Sequence, residues 1–152
     1  MKRDNYTALI FVLTALIVMG LSWFTRSTFP ISGTWGKYSG EAIFIVGMLL
    51  FVWGVVYLRE TLLGTVALVT DQLITAGPYH WVRHPLYLSM ILILIGISLA
   101  LRSMWGIIGV LALFTPTVVY RARCEEEALA NKFRGEWEAY VSQTSFLIPW
   151  LW

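Results

Sequence analysis

Charge is what this sequence has least of. Lys, Arg, Asp and Glu make up 13% of its 152 residues, about half the share a soluble domain needs to cover its surface with solvated groups. The shortage is concentrated. No charged residue occurs in 5–25, 42–58, 85–101 or 103–120, runs of 17 to 21 residues. At about 1.5 Å rise per residue each matches a hydrocarbon core of about 30 Å. Burying so much apolar surface in water would require a far larger chain, so the bilayer is the better solvent. Cysteine is nearly absent too: Cys124 stands alone, which excludes an internal disulfide and leaves redox compartment unspecified. Histidine is limited to His80 and His84. With Pro85 next to His84 and no HExxH or CxxC spacing, no metal site is expected. A net charge of +2, thinly spread, does not suggest a nucleic-acid partner.

The charge-free runs predict an all-α, polytopic helix bundle of four membrane spans, organised as one domain over 1–152. Residues 1–69 form an N-terminal helix pair and residues 70–152 the half that carries the chemistry. The first span is expected from about Tyr6 to Phe24. Its apolar run is too long for a signal h-region and no small-x-small cleavage site follows, so it reads as a retained span. A loop containing Pro30, Gly33 and Gly36 precedes a second span from about Gly40 to Leu63. The last two, Leu86 to Leu101 and Met104 to Tyr120, are separated only by Arg102 and Ser103, which predicts a tight antiparallel hairpin. Pro116 removes a backbone donor and is expected to kink the second arm. With both termini cytoplasmic, eight basic residues lie inside (Lys2, Arg3, Arg59, Arg83, Arg121, Arg123, Lys132, Arg134) and three outside (Arg26, Lys37, Arg102), the usual bias.

Two stretches depart from the membrane pattern, and this topology puts both on the cytoplasmic side. Residues 70–85, TDQLITAGPYHWVRHP, are rich in turn formers. Residues 121–142, RARCEEEALANKFRGEWEAYVS, are charged, with Leu129, Phe133, Trp137 and Tyr140 spaced to form an apolar stripe on a helix. The second predicts an amphipathic C-terminal helix against membrane or bundle.

In the first stretch Gly77-Pro78 marks a turn, and Pro85 suits the opening turn of a helix, where its missing donor costs nothing. Arg83 and His84 then sit beside a helix N-terminus, which favours an anion, between the rings of Tyr79 and Tyr87. This suits a ligand with a carboxylate and a flat ring. It equally suits a juxtamembrane anchor, with cations on lipid phosphates and aromatics in the interface belt. In the second stretch Arg121 and Glu125 are four apart and can pair on a helix, while Glu126 lies about 100° away on another face. A carboxylate lining a cavity can accept two ribose hydroxyls. An ordinary solvated helical turn accounts for the same residues.

The two stretches taken together are more specific. LITAGPYHWVRHPLYLS, then a helix pair, then RxxxEEExLxxxF and WxxY, resembles the isoprenylcysteine carboxyl methyltransferase and phospholipid methyltransferase family over roughly 59–149. These are integral-membrane enzymes that use S-adenosylmethionine. The resemblance implies a methyltransferase with a lipophilic acceptor, a prenylcysteine-type carboxylate or a lipid amine, entering from the bilayer among membrane lipids. By matching position, it implies that Leu73, Gly77, Tyr79, Arg83, His84, Pro85, Tyr87 and Glu126 contact the cofactor and that Arg121 and Glu125 serve catalysis. The chain departs from the family pattern at three places. Arg134 displaces a glycine after Phe133, Trp137 replaces a tyrosine, and Ser89 replaces a smaller residue. Two other classes stay in view: a non-enzymatic membrane scaffold, which binds no cofactor, and an NADPH-dependent sterol-reductase-like protein, for which no basic cluster fits a 2′-phosphate.

Overall fold

Once water is withheld, a backbone must satisfy its own polar groups, and a run of Leu, Ile and Val does so most simply as a helix. The computed structural model describes residues 2–30, 32–62 and 73–149, and among them the regular structure is helical. Helix α1 spans Lys2–Phe24, α2 Gly33–Leu62 and α3 Pro85–Ala100. Helix α4 (Met104–Gly109) continues through a π-helical turn (Val110–Phe114) into α5 (Thr115–Phe133), and α6 spans Gly135–Gln143. A short 3-10 turn, Gly77–His80, precedes α3. The helix pair boundary expected at residues 69–70 lies outside the described residues, as do the side chains of Lys2, Arg3 and Arg59 used in the charge count.

Among the described residues three helices are long and apolar enough to cross a membrane: Tyr6–Phe24, Gly33–Leu58 and Met104–Phe133. The 16-residue α3 is apolar but, at about 24 Å, shorter than the hydrocarbon core. Two expectations need correction. Helix α2 begins at Gly33, not Gly40, so Gly33 and Gly36 belong to the helix and not to the loop before it. Nor does the charged segment form a separate helix from residue 121: α5 runs unbroken to Phe133, and the break falls at Arg134. At Pro116 the ladder has already widened. Thr115 donates its backbone N–H to Val110, five residues back, and its hydroxyl accompanies it at 2.9 Å. A π turn just before a proline relieves the clash of its ring with the carbonyl four residues earlier.

The chain divides into two compact units, Met1–Met48 with Ser89–Arg121, and Leu49–Leu88 with Ala122–Trp152. In the first, glycine lets helices approach backbone to backbone. A β-carbon on Gly40 would fall 2.6 Å from the carbonyl oxygen of Gly96, and one on Gly96 2.6 Å from the amide nitrogen of Phe44. Small residues are how membrane helices gain contact where lipid is as apolar as they are. Between α1 and the π-helical turn after α4, Val18, Val110 and Phe114 are fully buried, and the rings of Phe11 and Phe114 lie 5.1 Å apart. Hydroxyls add directional contacts: Ser22 to Ser98 at 2.9 Å and Thr25 to Ser103 at 2.6 Å. One face of α1 is open. Leu9, Ile10, Val12, Leu13, Leu16 and Ile17 are all about half exposed, a continuous apolar surface that a soluble monomer would not leave bare.

Candidate functional site

The second unit holds the motif residues. Gly77 opens the 3-10 turn with a φ of +61°, a left-handed value glycine adopts without strain. A side chain there would also meet Tyr57, whose ring carbon lies 2.6 Å from the β-carbon position. Pro78 and Tyr79 are buried in the turn. The Tyr140 hydroxyl of α6 donates to the Tyr79 carbonyl at 2.7 Å. After the turn the chain pairs briefly with the segment following α6. Ser145 donates its amide to the Trp81 carbonyl at 3.2 Å and accepts from the Arg83 amide at 2.9 Å, an isolated parallel bridge. Pro85 then starts α3, with the His84 carbonyl accepting its first backbone bond, from Leu88 at 3.1 Å.

Arg83 is thereby aimed at two elements. Its Nε donates to Glu126 Oε1 at 2.7 Å, and its Nη1 donates to the carbonyls of Thr144 and Val141 (3.3 Å for the latter), where α6 ends and leaves acceptors unpaired. Both charged groups are largely withdrawn from water, with side-chain exposures of 9% and 12%. Arg123, one turn before Glu126, approaches its second oxygen at 3.3 Å from the solvent side. Glu125 serves another partner: it accepts from the Tyr87 hydroxyl at 2.5 Å. The successive glutamates thus reach different residues of the RHPxY motif, as their 100° separation on α5 requires.

His84 is 6% exposed. Its Nε2 lies 3.5 Å from Glu126 Oε1, beyond good hydrogen-bond length, and is a buried nitrogen with no hydrogen-bond partner among the described residues. Phe146 stands edge-on to the imidazole at 5.2 Å between centroids, and Tyr87 lies 5.7 Å away on a tilted plane. The Phe146 ring also receives the Arg123 guanidinium at 4.4 Å and that of Arg83 at 5.8 Å, a cation–π arrangement. Burial, with the nearby Tyr140 and Glu125 charges adding to it, pushes the Tyr79 phenol well above its ordinary value. Burial does the same to Tyr140 against the opposing influence of Arg83. Both rings therefore stay protonated as hydrogen-bonding groups.

Of the residues singled out in the sequence, Arg83, His84, Tyr87, Glu125 and Glu126 converge here, with Gly77, Tyr79 and Pro85 shaping the approach. Leu73 is half-buried on the segment leading into the turn. Arg121 belongs to the other unit, where it donates to the Thr7 hydroxyl at 3.4 Å and lies 5.9 Å from the Phe11 ring. Arg123, Thr144 and Phe146 were not anticipated. Arg123 was legible as a cation three residues before Glu126 on one helix. Nothing in the pattern signals that residues 144–146 fold back over His84. Among the described residues no group of three His, Cys, Asp or Glu is placed to hold a metal.

A family model described as phospholipid methyltransferase matches residues 35–136. The matched span contains the RHPxY motif and both glutamates and stops short of Tyr140 and Phe146. No curated protein and no solved structure matches the chain.

Proposed function

The chain belongs to the phospholipid methyltransferase family, and from that premise we propose that it transfers a methyl group from S-adenosylmethionine to a lipophilic acceptor that reaches it from the bilayer. The observation that supports this most is the direct pairing of the two motifs, Arg83 on Glu126 and Tyr87 on Glu125. Neither a scaffold nor a simple lipid anchor requires such a pairing. The second support is His84, whose buried Nε2 has no hydrogen-bond partner among the described residues, although such a nitrogen normally has one.

These groups fit the cofactor. Its carboxylate matches the imidazole of His84, its ribose hydroxyls match the acceptor oxygens of a glutamate, and its adenine suits the aromatic walls of Phe146 and Tyr87. When bound, it supplies an electrophilic methyl on a sulfonium that leaves as a neutral thioether. The chain's own work is then alignment and exclusion of water. The aromatic cover of Tyr87 and Phe146 over His84 provides the exclusion. A carboxylate acceptor is already ionised at neutral pH and needs no base. An ammonium acceptor must first lose a proton, and on this reading Glu125 or His84 takes it.

On the same reading α3 joins α1, α2 and the α4–α5 helix as a fourth span, in a hairpin turned at Leu101–Ser103. The termini and the site then face the cytoplasm, by the excess of Lys and Arg on that side. The test is calorimetric titration of the detergent-purified protein with S-adenosylmethionine and, in parallel, with NADPH. Saturable binding of the first alone is the expected result. Binding of NADPH alone would point to a reductase, and binding of neither to a scaffold.

A further inference from the structure

The first unit carries a hollow that the methyl-transfer reading does not use. It is a groove of about 580 Å³, with walls almost wholly apolar, that includes Leu16, Gly20, Trp23, Phe44, Ile97 and Leu101. Its size falls in the range of about 300–1,000 Å³ typical of small-ligand sites. Gly20 leaves the hollow open: a β-carbon there meets nothing within 4 Å. Along α1 the lining extends from Leu16 to Phe24, about 12 Å of helix axis against a hydrocarbon core of about 30 Å. That is the reach of the upper part of one acyl chain.

A cation adjoins the groove's lining in the chain. Directly after Leu101 comes Arg102, in a left-handed turn with φ 55°. Its stem crosses Gly36, where a β-carbon would fall 2.9 Å from Arg102 Cγ. Its Nη2 makes one long contact, 3.4 Å, to the Phe29 carbonyl. Its Nε is buried and has no hydrogen-bond partner among the described residues. Glu41, on the groove wall, faces Lys37 at 3.9 Å. The level is marked by exposed rings at the same helix ends: Trp23 on α1, Trp35 and Tyr38 on α2, and Trp105 on α4, with Arg26 stacked 5.2 Å from Trp23. Aromatic side chains collect where acyl chains give way to headgroups. A guanidinium whose Nε is unpartnered among the described residues thus lies at the level of these aromatic helix ends, next to a groove whose walls are almost wholly apolar.

We propose that this groove binds one phosphate-bearing membrane lipid, with an acyl chain along Gly20 and the phosphodiester on Arg102. A planar fork of donors suits phosphate oxygens, and the apolar walls select a lipid over a free anion. None of the groove residues named here belongs to the motif site, so the inference stands apart from the methyltransferase reading.

The test is native mass spectrometry of the full chain in detergent, titrated with dioleoyl phosphatidylglycerol and with dioleoylglycerol, which has the same chains and no phosphate. One basic contact at a lipid headgroup is worth about 1 kcal/mol, or about fivefold in affinity. The phosphate-bearing lipid should therefore bind at one equivalent, about fivefold tighter than dioleoylglycerol. Arg102→Gln should abolish that preference. Gly20→Phe should weaken both lipids by about tenfold or more, because the ring takes the volume of the chain. Circular dichroism and thermal midpoints establish that the variants fold; should one fail, the wild-type comparison decides alone. Equal binding of the two lipids by the wild type would overturn the proposal. So would unchanged lipid binding by folded Gly20→Phe, or inorganic phosphate binding as tightly as the lipid.

Discussion

The guanidinium of Arg83 and the carboxylate of Glu126, 43 positions apart in the chain, meet at 2.7 Å with both side chains almost closed off from water. Because Arg83 also holds the carbonyls at the end of α6, one side chain ties together the segment before α3, helix α5 and the strap after α6. Removing one partner of a buried pair costs about 3–5 kcal/mol, of which Arg123, 3.3 Å from the other Glu126 oxygen, offsets a part here. Arg83→Ala should therefore lower the thermal midpoint markedly in detergent. Arg83→Lys should recover only part of the loss, because an ammonium lacks the fork. An Arg83→Ala midpoint within a degree or two of wild type would show that the pair is structurally idle.

His84 should behave in the opposite way. Among the described residues its Nε2 has no hydrogen-bond partner and only a 3.5 Å approach to Glu126, so His84→Leu should cost less stability than Arg83→Ala. Affinity for S-adenosylmethionine should nonetheless fall by about tenfold or more, the value of one charge-assisted hydrogen bond. Calorimetry beside a melting curve separates the two effects. A variant that melts normally and binds normally would remove His84 from the site.

Arg134 breaks the helix between α5 and α6 with φ 43° and ψ −116°, a conformation that suits glycine and strains other residues by about 1–3 kcal/mol. Gly135 follows immediately and takes up helical structure instead. Arg134→Gly should raise the thermal midpoint, by about 2–4 °C per kcal/mol relieved for a domain of this size. An unchanged or lower midpoint would mean that the strain is offset by contacts of the arginine.

The buried phenol of Tyr140 supplies an alkaline signature. Its ionisation lies above the unfolded value of about 10, so the folded state resists losing the proton that the unfolded chain gives up. The sign follows: stability is unaffected below about pH 10 and declines as pH rises beyond it, where the unfolded state ionises first. Tyr140→Phe should be less stable at pH 8, by about 1 kcal/mol for the lost bond to the Tyr79 carbonyl. It should also have a shallower decline above pH 10. Parallel curves for the two proteins would place the alkaline loss on Tyr79 or elsewhere.

Much of this was legible before any coordinates, and the failures are instructive. The long charge-free runs around Leu9, Val46 and Leu111 mark helices because hydropathy and length are local properties that the bilayer reads directly. The RHPxY and EEE segments pointed to one site because together they resemble the methyltransferase family; taken singly, each also suited an ordinary anchor or a solvated helical turn. Gly33 and Gly36 were misread as loop formers. Yet Gly33, Gly40, Gly47 and Gly54 recur every seven residues, a period that marks one helix face, and Gly40, Gly47 and Gly54 are buried. Glycine signals a turn in a soluble chain, but a membrane helix uses it for close packing. The break before residue 121 was expected because charge begins there, but a helix continues wherever its backbone is satisfied.

The amino-acid order alone therefore determined the apolar solvent and the helical class, since each follows from composition and run length. It left open which cation meets which acid. That Glu126 takes Arg83 and Glu125 takes Tyr87, that Arg121 reaches Thr7 and Phe11, and that Phe146 covers His84 all depend on the paths of segments far apart in the chain. Those paths are chosen by packing at glycine contacts and by the strained turn at Arg134, and neither can be weighed from one neighbourhood at a time.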